Sequence, residues 1–312
     1  VGMTIQPVTG VITWTPTQNQ VGSYNVTVIK SNETSKSLTF NVTAGDPDPV
    51  GIYVGSNGVD DAGAGYGYTP EKPFKTLQYA SNQTTPGDTV YVRGGLYFAD
   101  TYLDGNWDSK VLLRIVNSGT SDNWITYRPY GNEKAKLLHD SGGSISVVAN
   151  YIIIDGFEVE GPAKHITHQK VLEDFWYKKH NDTGIAARGE HIIIRNNVVH
   201  HCGHRGIGPY NADHITIENN IVYNNTWLTT AGGHGLSAPA MASTDNRSDL
   251  LKVVIRGNLS FANEEHFFTM LHNKPEYTFY VGGEGSGIHV QDNKTSSDGT
   301  TGTHVGKILI EN

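Results

Sequence analysis

The chain is poor in cysteine, in charge and in long apolar runs. One cysteine in 312 residues, Cys202, excludes an intrachain disulfide and any zinc cluster built from several thiolates. Charged residues make up 17 % and hydrophobic residues 37 %, both below the usual globular share. A helical bundle, which needs Ala, Leu, Glu and Lys in quantity, does not fit this composition. There is no uninterrupted apolar stretch of about 18 residues, so no membrane insertion is expected. Lys/Arg-rich runs are missing and the net charge is −8, so no nucleic-acid partner is expected. The sequence contains no signal peptide and starts at Val1 without Met; mature secreted proteins and internal fragments both begin this way.

What fills the chain is glycine (36), asparagine (25), Ser, Thr and 30 aromatic residues. With many short Ile/Val runs this reads as an ordered, turn-rich, all-β chain. Asn-x-Ser/Thr sequons stand at Asn25, Asn32, Asn41, Asn82, Asn181, Asn224, Asn246, Asn258 and Asn293. They fit a glycosylated protein, secreted or on the cell surface, and they also follow from an Asn/Thr-rich β composition.

Residues 1–45 alternate with period two in three short strands, Val11–Trp14, Ser23–Ile29 and Leu38–Thr43, with Gly10 and Gly22 at turns. Asp46-Pro47-Asp48-Pro49 then reads as a stiff Pro-rich linker. The run Thr9-Gly10-Val11-Ile12-Thr13-Trp14-Thr15-Pro16, followed by Gln20-Val21-Gly22-Ser23-Tyr24, resembles the C-terminal half of an Ig-like, cadherin-like module. Such a sandwich takes about 100 residues and seven strands. A partial β-sandwich module is therefore expected, its missing strands lying before Val1 or supplied by a partner.

From residue 50 the character changes. A strand at Gly51–Val54, a Gly/Asp/Tyr-rich loop, a short amphipathic helix at Pro73–Ala80 and a strand at Thr89–Val92 fill residues 50–95. This stretch resembles the N-terminal cap of right-handed parallel β-helix proteins of the pectate-lyase-like class. A cap is physically required there, because the first coil otherwise shows an unpaired edge and an apolar lumen. Further on the chain repeats. Tyr151–Val159, His191–Val199, His214–Val222 (23 residues later), Val253–Asn258 and Ile308–Asn312 are successive Ile/Val segments with Asn or Gly at the corner. Asn tolerates the left-handed corner and can stack on itself from coil to coil. The expected fold is a right-handed parallel β-helix over 50–312. Its last repeat breaks off at Asn312, which predicts truncation at the C-terminus.

Each coil carries a Gly followed by Ile or Leu: Gly184-Ile185, Gly206-Ile207, Gly235-Leu236 and Gly287-Ile288. Residues before that Gly should stack about 4.8 Å apart on one outer face. Asp182, His204, Arg205, His234 and Glu284 are thus expected to form a polar row. A row of carboxylate, imidazole and guanidinium suits an extended acidic polysaccharide, since Arg grips a uronate carboxylate and His can move a proton. Two inserts, 161–180 and 264–284, are expected to wall a groove, with Trp176, Lys178, Lys179 and His266, and Trp227 nearby, contacting sugar.

Gly233-His234-Gly235 resembles the Gly-His-Gly motif of the polygalacturonase family, and Asn181-Asp182-Thr183-Gly184 is similar to its Asn-Thr-Asp-Gly with two residues swapped. That family's paired aspartates are replaced here by Gly203-His204-Arg205-Gly206, so the acid pair of an inverting hydrolase is missing. The residues instead suggest a polysaccharide lyase acting by β-elimination, with His204 or His234 as base and Arg205 neutralising the carboxylate. Asp182 and Glu284 either hold Ca²⁺ or pair with Arg205; Asp60 and Asp61 are a second acidic candidate. A different class stays open: a non-catalytic glycosylated, adhesive or filament-forming surface protein, polymerising head to tail through incomplete ends.

Overall fold

The computed structural model describes residues 4–5, 12–13, 22–28, 36–42, 49–98, 111–140, 142–173, 182–229, 233–264, 286–290 and 303–311. Two compact units divide the chain, Val1–Pro49 and Val50–Asn312. In the first, Thr4–Ile5 pairs antiparallel with Ile12–Thr13, and Gly22–Val28 pairs antiparallel with Lys36–Val42.

The second unit is a parallel β-helix of three sheets, every inter-strand pairing in them being parallel. Sheet A stacks Ile52–Val54, Thr89–Val92, Ile125–Pro129, Ile152–Asp155, Glu190–Arg195, Asp213–Glu218, Leu251–Arg256 and Lys307–Glu311. Sheet B stacks Gly95–Phe98, Ala135–Leu138, Glu158–Glu160, Val198–His200, Ile221–Tyr223 and Leu259–Phe261. Sheet C stacks Val111–Ile115, Gly143–Val147, Thr183–Ala187, Arg205–Pro209, His234–Ser237 and Ser286–His289. The chain visits A, B and C in turn. Coils before residue 144, missing from the repeats read in the sequence, join the same stacks; there Tyr127, Arg128 and Pro129 interrupt the Ile/Val run.

Like meets like in the lumen. Ile152, Ile192, Ile215 and Val253 are in register in sheet A, as are Ile154, Ile194, Ile217 and Ile255, and all are fully buried. Leu113, Ile145, Ile185, Ile207 and Leu236 do the same in sheet C. Each such side chain contributes about 1.5–3 kcal/mol by leaving water. The outer face of sheet A carries an in-register row of alternating sign, Asp155, Arg195, Glu218, Arg256 and Glu311. Arg195 bonds Asp155 at 3.1 Å and Arg256 bonds Glu218 at 2.6 Å. Exposed pairs are individually weak, but alternation keeps like charges from facing each other across the ladder.

The corners use adjacent asparagines for two jobs. Asn196 and Asn219 take the left-handed conformation, φ 57° in each, where the chain leaves sheet A. Their successors turn inward and form a buried ladder. Asn197 Nδ2 donates to Asn220 Oδ1 (3.0 Å), and Asn220 Nδ2 donates to Asn258 Oδ1 (2.9 Å). Asn220 and Asn258 Oδ1 also accept from the backbone N–H of the preceding coil's asparagine, and the three amides donate to carbonyls of Ile154, Ile194 and Ile217. A second ladder at the B-to-C corner joins Cys202 N–H, Asn225 and Asn263.

The cap helix runs Leu77–Gln83 rather than from Pro73. Phe74 is consumed by a bridge to Val54, and Thr76 is the N-cap, its hydroxyl accepting from Tyr79 N–H. From this helix Gln78 bonds both backbone groups of Arg114, at 2.8 and 3.0 Å, on the first strand of sheet C. One side chain thereby blunts an edge that would otherwise be open to pairing.

The two asparagine roles should separate by mutation. Asn220→Ala removes several buried hydrogen bonds at about 1 kcal/mol each and should lower stability by about 2–4 kcal/mol. Asn219→Gly, which keeps the left-handed corner, should stay within about 1 kcal/mol of the parent. Denaturant midpoints of the two variants provide the comparison.

Candidate functional site

The Gly-Ile/Leu step places the site. At Gly206 a Cβ would fall 2.6 Å from the Gly235 carbonyl and 2.5 Å from Val222, and at Gly184 it would meet Val199 and Cys202 within 2.8 Å. These glycines face the packed interior, so the coil turns tightly there and the preceding residue is thrown onto the outer face. Thr183 is paired with Arg205, and His234 with Ser286; Arg205 and His234 each stand two before the paired Ile207 and Leu236. The row on sheet C is therefore Thr183, Arg205, His234 and Ser286.

Arg205 lies along the sheet over Gly208. A Cβ on Gly208 would sit 3.0 Å from Arg205 Cδ and 3.5 Å from Thr183. The guanidinium is half-buried, its Nε has no hydrogen-bond partner, and no carboxylate among the described residues pairs with it. Burial lowers its pKa to about 10, with Tyr210 the neighbour that opposes the shift. A half-buried cation with no carboxylate beside it among the described residues is a site prepared for an anion. On the next coil the His234 and His289 rings stack with centroids 3.8 Å apart, and Ser286 Oγ lies 2.9 Å from His234 Nδ1. His234 is buried at 3 % exposure, while His289 is half-buried and reachable. His289 was not singled out in the sequence, because it stands after its Ile, on the other outer row.

Other expected members lie elsewhere. Asp182 is one residue too early for the row and has no exposed surface. Its carboxylate accepts from Gly203 N–H at 3.0 and 3.1 Å and is bonded to His139 Nε2, so its partner is His139 and not Arg205. His204 sits beneath the next coil, where a Cβ on Gly233 would meet its carbonyl at 2.4 Å and its ring at 3.1 Å. Trp227 is half-buried, packed edge-on against His201 (5.3 Å) and beside the small cluster of Ala163, Val171 and Leu228. Asn258 belongs to the buried ladder and is no glycan acceptor in the folded chain, whereas Asn82 and Asn246 are exposed. Asn224 forms a left-handed corner beside His201, and Asn25 and Asn41 fall in strands of the first unit. Trp176, Lys178, Lys179, His266, Glu284, Asn32, Asn181 and Asn293 lie outside the described residues.

Calcium takes six to eight oxygen ligands. Asp182 offers one carboxylate already engaged, and its nearest donors are His139 nitrogen and Cys202 sulfur. That set does not fit Ca²⁺. Asp60 is likewise spoken for, since it accepts from Lys75 N–H, Thr76 N–H and the Thr76 hydroxyl at 2.7–2.9 Å, tying the loop to the cap helix.

A second polar cluster, unread in the sequence, lies on the outer face of sheet B. Lys136 bridges Glu158 (2.8 Å) and Glu160, Lys164 reaches Glu160 at 3.2 Å, and His200 lies 3.3 Å from Glu158. Lysine already fills the place a cation would take. Burial alone would raise the Glu160 pKa, but hydrogen bonds from Lys136 and Lys164 outweigh it and bring it to about 2. Stability from Glu160 is therefore full above its ordinary pKa of 4.5 and is lost as pH falls through about 2. In Lys136→Met the acid limb of the unfolding curve should move to higher pH, as read by circular dichroism between pH about 2 and 5.

With this geometry in place, comparison with known proteins is informative. The family described as "Pel9A-like, right handed beta helix region" matches residues 52–238, more than half of the chain. A family described as "Putative Ig domain" matches residues 1–45. The chain is 30 % identical over 110 residues to "Pectate lyase PEL9" of Emericella nidulans, covering 35 % of this chain and 19 % of that protein. It is 34 % identical over 90 residues to "Uncharacterized protein YwoF" of Bacillus subtilis, covering 29 % of this chain and 16 % of the relative. Among solved structures, pectate lyase Pel9A matches with a TM-score of 0.50 at 18 % identity, covering 77 % of this chain and 58 % of that one. The chain thus spans less than a fifth of these curated relatives and shares its fold with the solved lyase. By the match over residues 52–238, the chain belongs to the Pel9A-like right-handed β-helix family.

Proposed function

We propose that the chain is a secreted or cell-surface polysaccharide lyase acting on a uronate polymer. The observation that carries this reading is Arg205, a half-buried guanidinium on the outer face of sheet C with no carboxylate partner among the described residues. A uronate carboxylate supplies the missing anion and can accept two parallel N–H bonds. The kinship with a protein named as a pectate lyase supports the same substrate class.

In the proposed reaction Arg205 binds the C6 carboxylate and stabilises the negative charge that develops on it as the C5 proton leaves. The stacked His234–His289 pair takes that proton. His289 presents the accessible ring, and Ser286 holds Nδ1 of His234. The C5 electron pair forms the C4–C5 double bond and the C4–O bond breaks. The departing glycosidic oxygen takes a proton from water, so atoms and charge balance. The sugar unit above the break carries an unsaturated end that absorbs in the ultraviolet.

Arg205→Met separates this role from a structural one. Losing a charge-assisted contact in the transition state should lower the rate of ultraviolet product by about 10²-fold or more. Stability should stay level or rise, because a half-buried cation with no carboxylate partner among the described residues is removed. Activity should persist in a calcium-selective chelator, since the Arg cation does the neutralising. Gly208→Leu should mimic the rate loss by displacing the Arg205 stem. A panel of uronate polysaccharides yielding neither ultraviolet product nor Arg205-dependent binding would overturn the proposal.

A further inference from the structure

Beneath sheet C lies a cluster that the proposed chemistry leaves unused. His139, Asp182 and Cys202 bring a ring nitrogen, a carboxylate oxygen and a thiol sulfur within 4.8 Å of one another. All three are buried, at 4 %, 0 % and 0 % exposure. They occupy the same corner, between sheets B and C, of three successive coils: His139 follows Ala135–Leu138, Asp182 precedes Thr183–Ala187, and Cys202 follows Val198–His200. Stacking alone therefore aims three donors at one point.

The surroundings hold each donor as metal ligands are held. Ser144 Oγ lies 2.8 Å from the other ring nitrogen of His139, the outer contact that fixes the tautomer of a ligating imidazole. Gly203 N–H donates to the Asp182 carboxylate. The Cys202 backbone is anchored in the second asparagine ladder through Asn225, at 2.9 Å. Such second contacts orient ligands and raise their affinity. Nitrogen and sulfur donors exclude Ca²⁺ and Mg²⁺ and suit a borderline-soft divalent ion.

We infer that His139, Asp182 and Cys202 form a buried structural site for a divalent ion of the zinc class. The protonic balance is simple. The imidazole proton moves to Nδ1, where Ser144 Oγ accepts it, and Nε2 binds the ion. Cys202 releases its thiol proton to solvent and binds as thiolate. The two positive charges of the ion meet one carboxylate and one thiolate, so the complex is neutral, as a site this deep requires. Three protein ligands leave one position for a small molecule such as water. Because the corner is closed, loading accompanies folding.

Cobalt(II) is a direct probe. The full chain, produced or refolded with Co²⁺, should bind one ion per molecule. It should show visible d–d bands and a near-ultraviolet thiolate-to-cobalt charge-transfer band. Zn²⁺ should displace the cobalt and raise the unfolding temperature. Cys202→Ser should lose the charge-transfer band. Ser144→Ala, which removes no ligand and is the milder change, should weaken binding about 10–100-fold. Native chain that refolds with Co²⁺ yet shows no charge-transfer band would overturn the site. So would metal binding unaltered by both substitutions. Neither result bears on Arg205, which stands on the opposite side of the sheet.

Discussion

Everything in this molecule depends on one constraint: each coil must present to the next the same backbone groups, in register, about 4.8 Å away. Sheets satisfy it along the strands, where every N–H and C=O points up or down the stack. Corners are the difficulty, because a turning chain aims these groups sideways into the packed interior, where an unmade hydrogen bond costs about 1–3 kcal/mol. The ladders Asn197–Asn220–Asn258 and Asn225–Asn263 resolve it, since an amide donates and accepts and can therefore hold both its own corner and the next. Ile and Val fill the lumen and supply the driving force. The asparagines fix where each coil bends, and so which residues reach the outside.

The consequences reach the site by geometry. With Gly184, Gly206 and Gly235 turned inward, the residues just before them have nowhere to go but out. A single position shift decides everything. Arg205 and His234 stand on the outer row, whereas Asp182 and His204, one residue earlier, are drawn into the corner. Two chemistries thus arise from adjacent columns of the same stack, a cationic face outside and a nitrogen, oxygen and sulfur cluster within.

Much of the fold was legible because solenoids write their packing linearly. The Ile-Ile-Ile runs at 152–154 and 192–194 face one another residue for residue, so period and sheet could be read from the chain. Less legible was anything set by a step of one. Asp182 and Arg205 look equivalent when aligned by eye, and only the tight turn at the glycine separates their sides. The salt-bridge row Asp155, Arg195, Glu218 and Arg256 was present in the quoted segments, yet its alternation appears only once the strands are stacked. His139 could not be linked to Asp182 at all, since they stand 43 positions apart, on successive coils. The cap helix shifted because Phe74, apolar and placed for a helix face, was more useful closing the lumen beside Val54.

A half-buried guanidinium with no carboxylate partner among the described residues would be a poor feature in a small globular core, where one poorly compensated charge strains the whole domain. A solenoid localises that burden. Its stability is close to a sum of repeat and nearest-neighbour terms, so the cost of Arg205 falls on its own coil and the two it touches. The coils on either side, with fully buried Ile rows and satisfied asparagines, are undisturbed. Gly208 shows how local the arrangement is: one missing side chain, on the same strand, makes the bed in which Arg205 lies. A repeat architecture can therefore hold a destabilising, ligand-hungry group at one coil while its neighbours keep the rows that maintain the register, which separates the residues that fold this chain from those that can act.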